Sequence, residues 1–253
     1  MTADAFTHLP ALRGKLTPAE QSGLRATLEV LVQWDERARS RGLPADWRWS
    51  NQELEASRLA LLGEHVGGGA DLWVYGYGSL MWDPGFHFAE VRLADLPGHR
   101  RRFCYKSTLG RGSREVPALM LALERGAGCC TGLAFRIAGE LADAESAILW
   151  RREMLRGGYR PAMLPMSTPQ GEITALVMTA NAAHADYVSE MPIDDTAAMI
   201  GSAAGVLGTN RDYLEQLARQ LDTLGIDDPY VDELMQRVQA IAGAPRLEGL
   251  ALR

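Results

Sequence analysis

The spacing of apolar and polar positions divides the chain into stretches of different grammar. Over residues 1–70 the pattern is helical. Leu24, Leu28, Leu31, Val32 and Trp34 recur at close to the 3.6-residue period of one buried helix face. Ahead of them, Thr17-Pro18-Ala19-Glu20 has the spacing of a capping box with proline at the first helical position, and Gly42 supplies a stop. A second helix is expected over residues 51–62, and Gly67-Gly68-Gly69 forms a flexible break where we place a domain edge.

After the triple glycine the pattern turns to strands. DLWVYGYGSL begins as an apolar run and ends in glycines, as a buried strand entering a tight loop does. Weaker strands are expected over residues 89–93 and 101–107, and residues 118–137 read as two strands joined by a glycine-containing turn. Residues 140–159 read as a helix, with Asp143 as its cap and Gly157-Gly158 as its stop. Two more strands flank Pro169-Gln170-Gly171, and from Asp194 onward the pattern is helical, with breaks at residues 205–208 and Gly225. Strands interrupted by one helix and followed by helices predict an α+β fold with a mostly antiparallel, barrel-like sheet. Regular βαβ alternation is missing, which argues against a doubly wound fold. The expected organisation is an N-terminal helical extension over 1–70, a catalytic-size domain over 71–225, and a C-terminal helix and tail over 226–253.

Composition narrows the function classes. The chain has 253 residues, 47% hydrophobic and 23% charged, which is ordinary globular composition. A formal net charge of −6 leaves no basic surface for a sequence-independent nucleic-acid binder, so no nucleic-acid partner is expected. The three cysteines include the adjacent pair Cys129-Cys130, which suits a reducing compartment better than a disulfide framework. No apolar run approaches the ~18 residues of a membrane span, and the first residues lack the basic head and apolar stretch of a signal peptide, so the expectation is a cytoplasmic protein without membrane partners. Neither the five histidines nor the cysteines have metal-ligand spacing, so no metal is expected.

Two features carry candidate chemistry. In Tyr75-Gly76-Tyr77-Gly78-Ser79-Leu80 the glycines permit positive φ and would expose backbone N–H groups to an anion; the same pattern also fits a plain strand-end turn. Met81 stands where a dinucleotide fingerprint needs its third glycine, and neither G-x-S-x-G nor Gly-Lys-Ser/Thr occurs here. Glu153 follows Leu149 and Trp150 by one helical turn, a setting that can desolvate a carboxyl and fit it for proton transfer. Arg151, Arg152 and Arg156 equally suit an ordinary ion-paired glutamate. His99-Arg100-Arg101-Arg102 reads as a solvated strand end.

Three segments in order resemble the ChaC-like γ-glutamylcyclotransferases. They are Tyr75-Gly76-Tyr77-Gly78-Ser79-Leu80-Met81-Trp82, then Arg152-Glu153 followed by Gly157-Gly158-Tyr159, then Gly208-Thr209-Asn210-Arg211-Asp212-Tyr213-Leu214. The likeness covers about residues 72–225; residues 1–70 lie outside it. Ile148-Leu149-Trp150 and Gly205-Val206-Leu207 depart from the commoner family pattern. The resemblance implies a closed mixed β-barrel with flanking helices. It also implies cleavage of glutathione, a small-molecule partner, to 5-oxoproline and cysteinylglycine, with no cofactor or metal. On the family's pattern Glu153 is the catalytic acid–base. The loop Tyr77, Gly78, Ser79 and Leu80, entered through Tyr75 and Gly76, holds the substrate, and Tyr159 and Tyr213 line the same pocket. Two alternatives stay open: a cyclotransferase for another γ-glutamyl amine or dipeptide, and a silent binder of a γ-glutamyl metabolite that uses residues 1–70 as a partner arm. The sequence sets no oligomeric state.

Overall fold

Thr27 opens the first long helix: its hydroxyl oxygen accepts from the Val30 N–H at 3.3 Å, and α1 runs Leu28–Ser40. The computed structural model describes residues 4–243. The box expected at Thr17 starts no α-helix. Residues Ala19–Gln21 make a single 3-10 turn behind Pro18, which gives no side-chain cap. Just beyond it, Arg25 turns to Glu145 and the Gly85 carbonyl, and such tertiary bonds override a weak local propensity. Gly42 takes φ 70° just past the end of α1, the stop its position suggested. A true capping box between Ser50 and Glu53 starts α2 (Asn51–Gly67), which runs past the expected end at Leu62.

Strand β1 (Leu72–Gly76) lies antiparallel to β3 (Ala118–Ile137), with Leu72 opposite Ile137, and parallel to β5 (Gly171–Ala180), with Val74 opposite Leu176. With β2 (Glu90–Ser107) and β4 (Tyr159–Thr168) these strands close a barrel in the order β1-β3-β2-β4-β5, so the sheet is mixed. The hairpin of β4 and β5 turns at Pro169-Gln170, as the sequence suggests. Two pairs of expected strands are single long ones. β2 carries Gly98 at φ 69° inside it, and β3 carries Gly128 at φ 95°. Glycine bends a strand there without ending it, because the partner strands continue the ladder. Phe135 anchors the interior, with Phe86 edge-on at 5.7 Å and Phe88 at 5.0 Å. A buried phenylalanine of this kind contributes roughly 1.5–3 kcal/mol.

Helix α3 (Gly139–Glu153) is capped from elsewhere in the chain. Ala138 offers no side-chain bond, and the Gly139 N–H donates to Asp71 Oδ1 at 2.9 Å. Asp143, the expected cap, lies inside the helix and accepts Arg58 Nη2 at 2.8 Å. That bond joins α2 to α3, as does Trp150 Nε1, which donates to Ser57 Oγ at 2.8 Å. The helix stops at Glu153, ahead of the glycine pair expected to end it.

The chain forms two compact units. Among the described residues, one holds those up to Arg102 together with Ala122–Tyr187; the other holds Phe103–Leu121 and those from Val188 to Gly243. In the second, α4 (Ile193–Ser202), α5 (Asn210–Leu224) and α6 (Pro229–Gly243) pack on one another, with the short strands β6 (Ala204–Gly205) and β7 (Gly208–Thr209) between α4 and α5. Thr209 and Asp212 form a capping box at the start of α5, and Gly225 closes it in the left-handed conformation. The tail expected to follow α6 falls outside the described residues. Among those described, no helix is long and apolar enough to cross a membrane.

Candidate active site

The loop after β1 is built by close approach. A Cβ on Gly76 would lie 3.0 Å from Leu80 Cβ and 3.2 Å from Phe135 Cε2, so a side chain there would crowd both neighbours where the chain folds back. Positive φ, the expected use of these glycines, is not what they supply: neither Gly76 nor Gly78 adopts it, and Gly78 sits at φ −136°. A 3-10 turn, Ser79–Met81, follows, closed by the Met81 N–H donating to the Gly78 carbonyl at 2.8 Å. The N–H groups of Gly78, Ser79 and Leu80 precede that first bond, and none of them donates to another group among the described residues. Successive backbone N–H groups of this kind are the donors that an anionic oxygen would need.

Buried groups brace the loop from beneath. Arg101 Nε donates to the Tyr77 carbonyl at 2.7 Å, and the Tyr77 hydroxyl donates to the Met178 carbonyl at 2.8 Å. The Tyr75 hydroxyl donates to the Cys130 carbonyl at 2.6 Å, and burial holds its pKa well above the usual phenol range. The basic run at residues 99–102 is therefore no solvated strand end. His99, Arg101 and Arg102 are buried, and Arg102 forks onto Glu124 at 2.5 and 2.7 Å.

Glu153 is the last residue of α3, its side chain 15% exposed. Burial pushes its carboxyl above the ordinary range, against the opposite pull of Arg152. A helix C-terminus disfavours an anion in the same sense. Leu149 and Trp150, one turn earlier, are both buried. Arg152 is the organising group. Its Nε lies 3.1 Å from Glu153 Oε1, its Nη2 donates to Ser79 Oγ at 2.9 Å, and its Nη1 donates to the Asp83 and Pro84 carbonyls at 2.6 and 3.2 Å. One planar guanidinium thus joins the acid to the cradle loop. The structure brings Ser79 and Glu153 together through a residue whose role spacing alone did not single out. The available signal was an arginine directly before the acid.

Tyr159 opens β4, half-buried and opposite Ala180. The turn leading into it depends on Gly157, at φ 68°, where a side chain would overlap the Trp49 ring; the Trp49 N–H donates to the Leu155 carbonyl at 2.9 Å. Tyr213 belongs to the second unit. There it is buried on α5, with Phe103 edge-on at 6.0 Å and the Arg111 guanidinium 5.5 Å from its ring centre. Burial holds the Arg111 pKa below its usual value. Among the described residues, no cluster of three or more His, Cys, Asp or Glu side chains is placed to hold a metal ion.

The chain belongs to the ChaC-like protein family, whose model matches residues 72–241 and so takes in the barrel, the loop after β1 and α3. Its relatives include the glutathione-specific gamma-glutamylcyclotransferase of Escherichia coli K12, 37% identical over 194 residues, spanning 76% of this chain and 83% of that protein. The glutathione-specific gamma-glutamylcyclotransferase 1 of Rattus norvegicus is 31% identical, over 67% of this chain and 79% of its own. In fold, the chain is similar to the crystal structure of a yeast gamma-glutamyl cyclotransferase specific to glutathione. The TM-score is 0.61 at 21% identity, over 68% of this chain and 99% of that one.

Proposed function

We propose that this chain cleaves glutathione to 5-oxoproline and cysteinylglycine, with Glu153 as the general acid–base. The observation that carries the reading is the single guanidinium of Arg152, which ties the desolvated Glu153 carboxyl to the cradle loop at Ser79. The E. coli and rat relatives, both named as glutathione-specific cyclotransferases, support the choice of substrate.

The reaction needs no side-chain nucleophile, because the substrate's α-amine attacks its own γ-carbonyl carbon. A C–N bond closes the five-membered lactam, and the C–N bond to the cysteinyl nitrogen breaks. Holding the glutamyl chain in the attack conformer supplies an effective molarity of ~10⁵ M or more. Glu153 takes a proton from the α-ammonium, freeing the lone pair, and returns it to the departing nitrogen. The second proton, shed by the attacking nitrogen as the lactam forms, ends on the released cysteinyl amine, which leaves as an ammonium. A carboxyl raised above its usual range is better matched to both transfers than an ordinary one. The Gly78, Ser79 and Leu80 N–H groups hold a negatively charged oxygen of the substrate. Tyr159 is assigned to a contact with the same substrate.

Replacing Glu153 with Gln keeps the shape and removes the proton-accepting oxygen. Turnover of glutathione should fall ~10²–10⁴-fold with folding intact. Turnover equal to wild type would end the assignment.

A further inference from the structure

Residues before Leu72 lie outside the span that matches the family, yet their groups reach the loop on which Arg152 rests. The Thr17 N–H donates to the Trp82 carbonyl at 2.8 Å. Arg25 Nη1 donates to the Gly85 carbonyl at 3.1 Å. The same guanidinium grips Glu145 of α3 with two bonds, at 2.7 and 2.9 Å. Glu145 is buried, and it also accepts the His87 N–H at 3.2 Å. The His87 ring is 3.4 Å from Glu20 and 3.9 Å from Glu145, the two carboxylates that also act on Arg25. Arg25 is therefore fastened at once to the helix that ends in Glu153 and to the loop of residues 82–87.

That loop carries the carbonyls of Asp83 and Pro84 that receive Arg152 Nη1. It passes so near the guanidinium that a Cβ on Gly85, at φ 69°, would lie 3.1 Å from Arg152 Nη1. A planar donor fork holds its direction only if its acceptors stay put. We propose that Arg25 is a positioning residue of the active site: by tying the 82–87 loop to α3, it fixes the carbonyls that aim Arg152 at both Ser79 and Glu153. The inference rests on the reading of Glu153 given above. It gives the N-terminal segment a part in catalysis and not only in packing.

The test uses the full chain with glutathione as substrate, comparing Arg25→Ala, Arg25→Lys, Gly85→Ala and Glu153→Gln by steady-state kinetics across pH. Circular dichroism checks folding. Arg25→Ala should lower kcat roughly 10-fold or more while KM moves less than about 3-fold, because the acid and its guide are displaced rather than lost. Among the described residues, Arg152 is the charged side chain bearing on Glu153. Loosening it weakens the pull that favours the carboxylate, so the acid limb of kcat should move to higher pH, which a packing defect alone would not produce. Arg25→Lys should restore part of kcat. Gly85→Ala keeps every charge and should shift kcat and the acid limb in the same direction as Arg25→Ala; it carries the test if Arg25→Ala fails to fold. A folded Arg25→Ala with wild-type kcat and acid limb, beside an inactive Glu153→Gln, overturns the proposal and leaves the functional reading standing. An active Glu153→Gln overturns both.

Discussion

Arg152 Nη2 donates to Ser79 Oγ at 2.9 Å while Nε of the same guanidinium lies 3.1 Å from Glu153 Oε1. The separation of the cradle loop from the acid is thus set by one rigid group. Lysine keeps the charge at this position but offers one compact ammonium in place of a fork. Arg152→Lys should lower kcat/KM for glutathione roughly 10²-fold, the order of loss expected from a displacement near 1 Å. Steady-state kinetics on the folded variant checks this; a loss under about 3-fold would show that the fork does not set the geometry.

Ser79 gives the cradle its backbone N–H and gives Arg152 its hydroxyl oxygen. Ser79→Ala removes only the second. A single hydrogen bond to a charged donor is worth ~1.5–3 kcal/mol, so kcat/KM should fall on the order of 10–150-fold, with the larger loss falling to Glu153→Gln. Comparing the two variants side by side separates the roles. A Ser79→Ala variant as inactive as Glu153→Gln would instead point to the hydroxyl as a nucleophile.

The raised carboxyl of Glu153 makes a prediction about stability as well as rate. Its folded pKa lies above the unfolded value of ~4.3, so the folded state binds the proton more tightly. The stability this lends is present below the unfolded pKa and is lost as pH rises through the folded one. Glutamine mimics the neutral acid at every pH. Glu153→Gln should therefore melt above wild type at pH 7, with the gap narrowing as the pH falls through the raised folded pKa and closed by about pH 4. Calorimetry across that window decides the point, and a variant that melts lower at pH 7 would contradict the burial argument.

Gly157 and Gly42 have nearly the same backbone, at φ 68° and φ 70°, but different surroundings. Nothing lies within 4 Å of a Cβ built on Gly42, whereas one on Gly157 would overlap Trp49. Gly42→Ala should cost only the ~1–2 kcal/mol of a left-handed alanine. Gly157→Ala should cost a further ~1–3 kcal/mol of overpacking. Thermal melts of the two variants give the difference, and equal losses would mean that Trp49 does not constrain the turn into Tyr159.

Local grammar revealed most of this fold. β1, the β4–β5 hairpin and the helix that ends at Glu153 follow from apolar runs, a Pro-Gln-Gly turn and good helix formers, all short-range signals. The misses have one physical cause, which is that partners distant in sequence override nearby preference. Arg25 draws its segment away from the helix that Thr17-Pro18 would start. Asp71 caps α3 in place of Asp143, and paired strands carry β3 through Gly128. The site divides in the same way. Glu153 and the loop at Ser79 were legible from motif and spacing. The bond that joins them was not, because it depends on Arg152 reaching across 73 positions. Arg101 was misread for the same reason: a basic run looks solvated until the carbonyls of Tyr77 and Thr131 are known to surround one of its members.

The most direct measurement incubates wild type and Glu153→Gln with millimolar glutathione and follows products by mass spectrometry. Wild type should release 5-oxoproline and cysteinylglycine at equal rates, and the variant should release both at ~10²–10⁴-fold lower rates. Free glutamate in place of 5-oxoproline would mean that water, not the substrate's own amine, attacks the carbonyl. Equal rates for the two proteins would contradict the central claim that Glu153 moves the proton.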